Sequence, residues 1–263
     1  MKFRWGIPSY QRAEDPFTLD LLTRLGYTKD EIIISTQTKE DYELYTKLQG
    51  DRATVIYREG TNDSINRNTL LDYFNEGEPI LLLDDDIRSF NKLSPDGKKV
   101  TPIEDRATLE LIFTRMFRFC AMNNSRMWAW YPIDNAFFMK HTVDDKNILV
   151  GTIFGIINSK DLRFDEEYDL KGDFEISLRE ITRGHNTFRF NGFSCTARHY
   201  SKGGCAEARA NGNNKARFDD ILKKYPTLVK PSHRDGEIKY IGKVTHIPEA
   251  KALKLIPTKH KED

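Results

Sequence analysis

The stretch Ile80–Ile87 constrains the fold of this chain more than any other segment. Four apolar residues, Ile-Leu-Leu-Leu, run directly into three carboxylates, Asp84–Asp86. A short apolar run that follows Glu78-Pro79 predicts a strand buried on both faces, as in the centre of a parallel sheet. Three carboxylates at the end of such a strand favour a hard cation, because Mg²⁺ and Mn²⁺ prefer carboxylate oxygens and take phosphate oxygens as further ligands. The stretch therefore predicts a metal–phosphate site, and the alternative is an acidic turn in solvent.

Strands and helices alternate along the chain before this stretch. Strands are predicted over residues 3–8, 31–35 and 53–57, and helices over 15–25, 39–48 and 62–74. This alternation is typical of βαβ units, and in such sheets the ligand crevice lies outside the carboxyl ends of the strands. A helix over 105–123, a strand over 149–157 and a helix over 174–184 follow. The predicted class is α/β, with a mainly parallel sheet flanked by helices.

The charge of the chain is unevenly distributed. The net charge is +1, yet residues 198–263 hold 15 Lys and Arg against 8 Asp and Glu, a local +7. We therefore predict a core over 1–197 and a smaller basic C-terminal lobe over 198–263. A basic lobe suits a polyanionic partner such as nucleic acid, and a solvated lysine-rich surface explains it equally well.

Cysteine content and hydropathy indicate a cytoplasmic protein with no membrane partner. The chain has only three cysteines, and an odd, small number of cysteines fits a reducing cytoplasm better than a disulfide framework. The longest nearly apolar run, residues 148–157, is too short to span a bilayer. Cys195, His199 and Cys205 do not favour zinc, because their spacing is irregular and a fourth ligand is missing.

Three segments together resemble the GT-A-fold, nucleotide-sugar-dependent glycosyltransferases. They are Ile-Pro-Ser-Tyr-Gln-Arg at 7–12, residues 60–68 with the apolar-acidic stretch, and residues 163–179. The family carries an IPTYNR-like strand and turn, an ARN-like helix start, a DxD or DDD metal motif and a GFDE…GEDxExSLR stretch. The resemblance covers residues 3 to about 184 and implies the GT-A (Rossmann-like) fold. It also implies that the core consists of a nucleotide-sugar half (1–90) and an acceptor half (91–197), with the C-terminal lobe completing the site.

The resemblance also implies an activity and a set of site residues. It implies a metal-dependent hexosyl- or pentosyltransferase that uses Mn²⁺ or Mg²⁺ and a UDP-sugar, with Asp86 on the metal and Asp173 as catalytic base. The residues implied to contact the nucleotide-sugar are Pro8, Ser9, Tyr10, Arg12, Arg67, Asp84 and Asp85. The glutamate of the family's GED is Gly172 here, so we expect Glu175 to supply acceptor contacts. Asp173 also suits a helix N-cap, a role that can coexist with catalysis.

Two further groups of residues are candidates beyond the family motifs. In the segment 198–204, His199 could complete the metal site and Lys202 could bind phosphate, although an ordinary surface histidine beside a loop fits the same pattern. Trp128 and Trp130 are predicted to stack on the acceptor, or else belong to the core, where aromatic clusters are more common.

Among GT-A branches the chain looks most like the phage TET-associated glycosyltransferases, on its overall character and on Lys-Gly-Gly at 202–204. That resemblance implies transfer to hydroxymethylated pyrimidines, such as 5-hydroxymethylcytosine, in phage DNA within the host cell cytoplasm. A surface polysaccharide or a lipid-linked sugar is the alternative acceptor.

An inactive DNA-binding module would predict disrupted acids, whereas Asp84–Asp86 and Asp173 are all present. A nucleotidyltransferase would normally carry a glycine-rich phosphate signature after the first strand, which residues 7–10 do not form.

Overall fold

The structure, a computed structural model, describes residues 1–197, 213–233 and 237–254, with the backbone alone for 213 and 214. The helices are α1 (Phe17–Arg24), α2 (Lys39–Gln49), α3 (Asp63–Tyr73), α4 (Arg106–Met122), α5 (Gly172–Thr182), α6 (Asn213–Lys224) and α7 (Glu249–Leu253). The strands are β1 (Arg4–Pro8), β2 (Ile32–Thr36), β3 (Thr54–Tyr57), β4 (Pro79–Leu83), β5 (Ile87–Leu93), β6 (Val100–Pro102), β7 (Ser125–Trp130), β8 (Thr142–Asp145), β9 (Ile153–Ile157), β10 (Asn186–Phe190), β11 (Phe193–Ala197), β12 (Val229–Pro231), β13 (Ile238–Tyr240) and β14 (Thr245–Pro248). No helix in the described ranges is long and apolar enough to cross a membrane.

Nine of these strands form one sheet in the order β14-β8-β10-β7-β9-β4-β1-β2-β3. β1 pairs in parallel with β2 and β4, β2 with β3, and β10 with β7. β9 is antiparallel to β4 and β7, and β8 is antiparallel to β10 and β14. All strands of the sheet except β8 and β9 therefore point the same way, and their carboxyl ends share one edge. The predicted α/β class and mainly parallel sheet are confirmed.

The central strand β4 is buried on both faces, as the apolar run predicted. Leu81 and Leu83 belong to the hydrophobic cluster that includes residues of α1 and α4, whereas Ile80 and Leu82 belong to the cluster with α3 and α5. All four side chains are completely shielded from solvent. Full burial stabilises the fold by about 1.5–3 kcal/mol for each such side chain. This packing fixes where the acids that follow β4 emerge.

The indole side chains of Trp128 and Trp130 lie in the core. Both are 0–1% exposed, and each stacks on Phe113 of α4, with ring centroids 5.9 and 5.2 Å apart. A methyl group placed on Gly155 of β9 would come within 2.0 Å of the Trp128 ring, so glycine makes room for that indole. The expected stacking of these two tryptophans on an acceptor is corrected, because neither ring has a face open to one.

The helix α4 confirms the predicted pattern most closely. Asp105 caps it by accepting hydrogen bonds from the amides of Ala107 and Thr108, and Asn123 follows its end. The apolar positions at helical spacing are all buried: Leu109, Ile112, Phe113, Met116, Phe117 and Cys120.

A small sheet, in the order β11-β5-β6, was not predicted. Polar residues interrupt the apolar positions of β5, and β6 spans only three residues, none of them buried, so both strands give a weak signal in sequence.

The described C-terminal residues pack against the rest of the molecule, and the predicted lobe boundary at residue 198 stays a prediction. β14 extends the central sheet beside β8, and α6 lies against the loop and helix at residues 165–179. Glu175 makes the main contact: its buried carboxylate accepts hydrogen bonds from Lys224 Nζ and Tyr225 OH, both at 2.9 Å. Glu175 therefore holds α6 in place. Its expected contact with an acceptor is corrected, because the side chain is wholly buried.

Candidate active site

The three carboxylates Asp84–Asp86 emerge at the edge of the sheet where most strands have their carboxyl ends. Thr18 of α1 fixes this segment: its hydroxyl donates to the Asp84 carbonyl at 2.6 Å and accepts from the Ile87 amide at 2.9 Å. On the other side the Asp84 amide donates to the Thr152 carbonyl at 2.9 Å. These backbone contacts fix the position of the segment that carries the three acids.

Asp85 uses both of its oxygens within the protein. Oδ1 accepts from Arg12 Nη1 at 2.5 Å, and Oδ2 accepts from the hydroxyl of Ser9 at 2.6 Å. Ser9 is 2% exposed and also shares a hydrogen bond with Tyr45 of α2. Burial raises the pKa of Asp85 to about 7, although Arg12 and Ser9 both favour its charged form. Ser9 and Asp85 therefore support the turn and position Arg12, instead of presenting free polar atoms to a nucleotide.

Arg67 joins two acids across the mouth of the site. Its Nη2 donates to Asp84 Oδ1 at 2.8 Å and its Nε to Asp63 Oδ2 at 2.5 Å. The guanidinium also lies 5.6 Å from the ring centroids of Phe154 and Phe164. Asp63 and Asp84 raise the pKa of Arg67 against the opposing effect of burial, so this side chain is a fixed positive charge. A fixed cation at this point suits the phosphates or the transferred group of an anionic substrate.

Asp173 lies in the first turn of α5, one residue after Gly172. The N-cap is Lys171, in the left-handed region at φ +61°, so the expectation that Asp173 is the N-cap is corrected. A methyl group on Gly172 would lie 2.7 Å from the hydroxyl oxygen of Ser64 on α3. Glycine at this position allows α5 to pack closely on α3, and this packing brings Asp173 to the end of α3 that carries Asp63 and Arg67.

The pKa of Asp173 is raised to about 6. Burial raises it most, Arg67 lowers it, and the negative charges of Asp84 and Asp63 raise it again. The pKa of Asp84 is raised to about 6 for the same reasons: burial first, opposed by Arg67 and reinforced by Asp63 and Asp86. A carboxylate with a pKa just below neutrality is suited to accept a proton during a reaction at physiological pH.

The cluster has more negative than positive charge. Five carboxylates face two guanidiniums, Arg12 and Arg67, and Arg12 Nη1 also lies 3.2 Å from Asp86 Oδ2. Within the described ranges no three His, Cys, Asp or Glu residues could hold a metal ion together. The donor set still fits Mg²⁺ or Mn²⁺, which are often held by one or two carboxylates while substrate phosphates and water supply the other ligands. Asp84 and Asp86 are the residues that would hold such an ion.

The remaining predicted residues divide into two groups. Pro8 and Tyr10 lie on the same strand-to-turn segment as Ser9, with Pro8 buried and Tyr10 half-buried at the edge that carries the acids. Their predicted contacts with the nucleotide stay predictions. His199 and Lys202 lie outside the described residues, as does Cys205.

Several residues of the site were missed in the sequence. Asp63 precedes Arg67 by four residues on α3, a spacing that predicts an ion pair and could have identified it. No sequence pattern marks Tyr45 or Thr18 as a site residue, because only the folded chain brings them close to the acids. Asn66 is similar: its side chain links the hydroxyl of Ser35 to the Ser9 carbonyl.

A groove of about 650 Å³ lies away from the acids, at the opposite end of α3. It is lined by side chains of both charges, among them Asp72, Lys160, Arg163 and Glu166. Arg163 is already bonded to Asp72 and to three backbone carbonyls, those of Ser159, Leu162 and Leu71. Because these side chains are engaged within the protein, the carboxylate cluster is a better candidate for the active site than this groove.

Similarity to known proteins was found only among solved structures. The sequence matches no family model and no curated protein. Among solved structures, residues 1–349 of S. aureus TarS in complex with UDP superpose with a TM-score of 0.50 at 16% identity, over 84% of this chain and 66% of that one. A mycobacterial protein superposes with a TM-score of 0.50 at 9% identity, over 94% of this chain and 84% of that one. UDP-glucose pyrophosphorylase with UDP-glucose gives a TM-score of 0.41 at 8% identity, over 74% and 92%.

The fold is the Rossmann-like GT-A fold. This conclusion rests on the order and direction of the strands together with the superposition on TarS. The chain covers just under two thirds of that TarS structure, and the low identity extends the likeness to the fold and no further.

Proposed function

We propose that this protein is a glycosyltransferase that moves a sugar from a UDP-sugar to a hydroxyl group. The observation that supports the proposal best is the carboxylate cluster. At the carboxyl edge of a GT-A sheet, Asp84 bonds the fixed cation Arg67, Asp86 lies beside Arg12, and the charge of Arg67 also acts on Asp173, whose pKa is about 6. The solved structure of TarS in complex with UDP, which has a similar fold, also fits this donor.

The residues divide the chemistry between donor and acceptor. Mg²⁺ or Mn²⁺, held by Asp84 and Asp86, would neutralise the diphosphate as the leaving group. Arg67 adds a positive charge beside Asp84, and Arg12, held by Asp85, adds another beside Asp86. Asp173 accepts the proton of the acceptor hydroxyl. The acceptor oxygen then bonds to the anomeric carbon, the bond from that carbon to the diphosphate oxygen breaks, and UDP leaves.

For the acceptor we propose hydroxymethylated pyrimidines in DNA. The support is electrostatic: Lys223, Lys230 and Lys239 are exposed cations of the C-terminal region, which has a net +7. Lys224 and Arg217 are not included among the cations available to DNA, because they form ion pairs with Glu175 and Asp169 within the protein. A polyanionic backbone is the partner that an excess of free cations suits.

Mass spectrometry tests the proposal directly. The protein is incubated with Mn²⁺, a panel of UDP-hexoses and UDP-pentoses, and DNA that contains 5-hydroxymethylcytosine; the Asp173→Asn variant and unmodified DNA are the controls. We expect one sugar mass to be added to the modified base by the wild-type protein alone. UDP release without transfer to DNA would keep the glycosyltransferase and reject the acceptor. Finding neither UDP release nor UDP binding with any donor would reject the function.

A further inference from the structure

The loop of residues 131–141, which follows β7, carries an exposed aromatic pair. Phe137 is 84% exposed and Phe138 is 47% exposed, and their rings stand edge to face with centroids 5.0 Å apart. Ile133 in the same loop is 47% exposed. Single exposed apolar residues are common on protein surfaces, but two phenyl rings in contact with each other offer a ligand an exposed aromatic surface.

The loop is ordered by its own hydrogen bonds. Asn135 Oδ1 accepts from the Phe137 amide at 2.9 Å, and the Asn135 carbonyl accepts from the Phe138 amide at 3.0 Å. Met139 is buried and anchors the loop, and the Lys140 amide donates to the Asn191 carbonyl. The exposure of the two phenyl rings is therefore built into the loop, which lowers the entropy lost when a ligand stacks on them.

Two sets of contacts place this loop beside the carboxylate cluster. Pro132 packs against Gly151, whose added methyl would lie 3.6 Å from the Pro132 Cα, and the next residue, Thr152, bonds the Asp84 amide. Separately, the carboxylate of Asp134 accepts from Ser194 Oγ at 2.7 Å and from Thr196 Oγ1 at 2.6 Å. Thr196 in turn bonds Ser89, three residues after Asp86. The loop thus belongs to the edge where the acceptor must approach.

The surface next to the loop is basic. Residues 87–103 of the small sheet hold four Lys and Arg and one Asp, a net +3, and Arg88, Lys92, Lys98 and Lys99 are all exposed. The hairpin between β5 and β6 contacts the end of the loop, where His141 Nε2 lies 2.9 Å from the Ser94 carbonyl. Exposed rings beside exposed cations are the combination that binds unpaired nucleic acid, with stacking on the bases and attraction to the phosphates.

We propose that Phe137, with Phe138, stacks on an unpaired base of the acceptor DNA, either the target nucleotide turned out of the helix or its neighbour. This inference rests on the proposed function and specifies its acceptor site. A hydroxymethyl group inside a duplex is surrounded by stacked neighbours, and an enzyme that modifies a base takes it out of the stack or uses single strands. The exposed phenyl pair supplies the stacking surface that Trp128 and Trp130, buried in the core, do not.

Binding of fluorescent DNA by Phe137→Ala tests the inference. The probes are a single-stranded oligonucleotide with 5-hydroxymethylcytosine and a fully paired duplex of the same sequence. We expect Phe137→Ala to weaken single-strand binding by about 5- to 100-fold, which is the range measured for one base–aromatic stack. Phe137→Trp should retain binding. The slope of log K against log salt should not change, because stacking releases no counterions.

Two controls separate this inference from the proposed function. Met122→Ala removes a side chain that is 75% exposed at the end of α4, just before β7 begins and thus at the opposite edge of the sheet, and it should change nothing. UDP-sugar hydrolysis without acceptor reports on the donor site, and Phe137→Ala should leave it unchanged. Equal DNA binding by Phe137→Ala and wild type would overturn the inference while the glycosyltransferase stands. Two other results would overturn the nucleic-acid partner as well. One is a wild-type protein that hydrolyses the UDP-sugar but does not bind DNA. The other is a higher KM for a polysaccharide acceptor in Phe137→Ala than in the wild type.

Discussion

At the scale of single residues, the site distinguishes three consecutive aspartates by what surrounds each. Asp85 has both oxygens bonded to Arg12 and Ser9, whereas Asp84 has one oxygen on Arg67 and Asp86 lies 3.2 Å from Arg12. The side chains of Asp85 and Asp86 are 12–13% exposed, and that of Asp84 is 35% exposed. We therefore assign Asp84 and Asp86 to the donor and its metal, and Asp85 to positioning.

Asp86→Ala should abolish sugar transfer. In the proposed mechanism this substitution removes one of the two carboxylates that would hold the ion, and we expect a fall of at least about 10²-fold in kcat/KM. UDP binding in Mn²⁺, measured by calorimetry, should weaken as well. Asp51→Ala is the control, since Asp51 is exposed just before β3 and therefore at the opposite edge of the sheet. Undiminished activity of the wild type in saturating EDTA would show that no metal is needed.

Asp173→Asn should separate catalysis from binding. Asparagine keeps the shape and the oxygen that accepts from the Phe174 amide, but it cannot accept a proton, so kcat should fall by about 10²–10⁴-fold with UDP affinity unchanged. In the wild type, kcat should rise with pH through about 6, because the base acts in its deprotonated form. The pH profile of the residual activity should lose that rise. A matching loss of UDP affinity would instead place Asp173 in donor binding.

The raised pKa values also predict how stability depends on pH. In the folded protein the pKa of Asp85 is about 7, above its ordinary 3.8, so the folded state binds this proton more tightly than the unfolded state. The contribution is fully present below a pH of about 4 and is lost as the pH rises through about 7. Without metal, Tm should therefore fall over this range, as measured by calorimetry. Asp85→Asn should flatten the decline, and an unchanged decline would contradict the assignment.

At the scale of elements, the pairing of β7 and β9 depends on the contact of Gly155 with Trp128. Gly155→Ala places a methyl group within 2.0 Å of the indole, and the sheet around it is too well packed to move away. We expect the free energy of unfolding to fall by about 3 kcal/mol. The double variant with Trp128→Phe should lose less than the sum of the two single variants, since the smaller ring leaves room. Additive losses in denaturant titrations would show that the two residues act independently.

At the scale of the whole molecule, the proposed acceptor predicts salt-dependent binding. Affinity for duplex DNA should fall log-linearly with salt, with a slope of about −0.9 for each phosphate neutralised. Replacing Lys223, Lys230 and Lys239 with Gln should make the slope shallower and leave UDP affinity unchanged. Lys224 is kept, because its ammonium group holds the buried Glu175. Lys47→Gln on α2 is the control, and a slope unaffected by the triple variant would remove the C-terminal region from the DNA interface.

The sequence by itself determined the features that depend on local pattern. The apolar run before Asp84 marked a central strand, and the helical spacing of apolar residues marked α4 with its whole buried face. The order of motifs led to the GT-A fold, which the strand order and the TarS superposition support. Periodicity reports which residues are buried because it reflects the geometry of one element at a time.

Only the tertiary structure decided which chemically similar residues meet. Whether Asp84 or Asp85 keeps a free oxygen depends on Ser9, Arg12 and Arg67, which are 17 to 76 positions away along the chain. From the sequence alone, a tryptophan and a phenylalanine are equally good candidates to stack on a ligand. In the fold, however, Trp128 is buried where α4 packs against the sheet, and Phe137 is exposed. The physical reason is that burial and hydrogen bonding at a site are sums over residues brought together by the fold, and no local pattern records those partners.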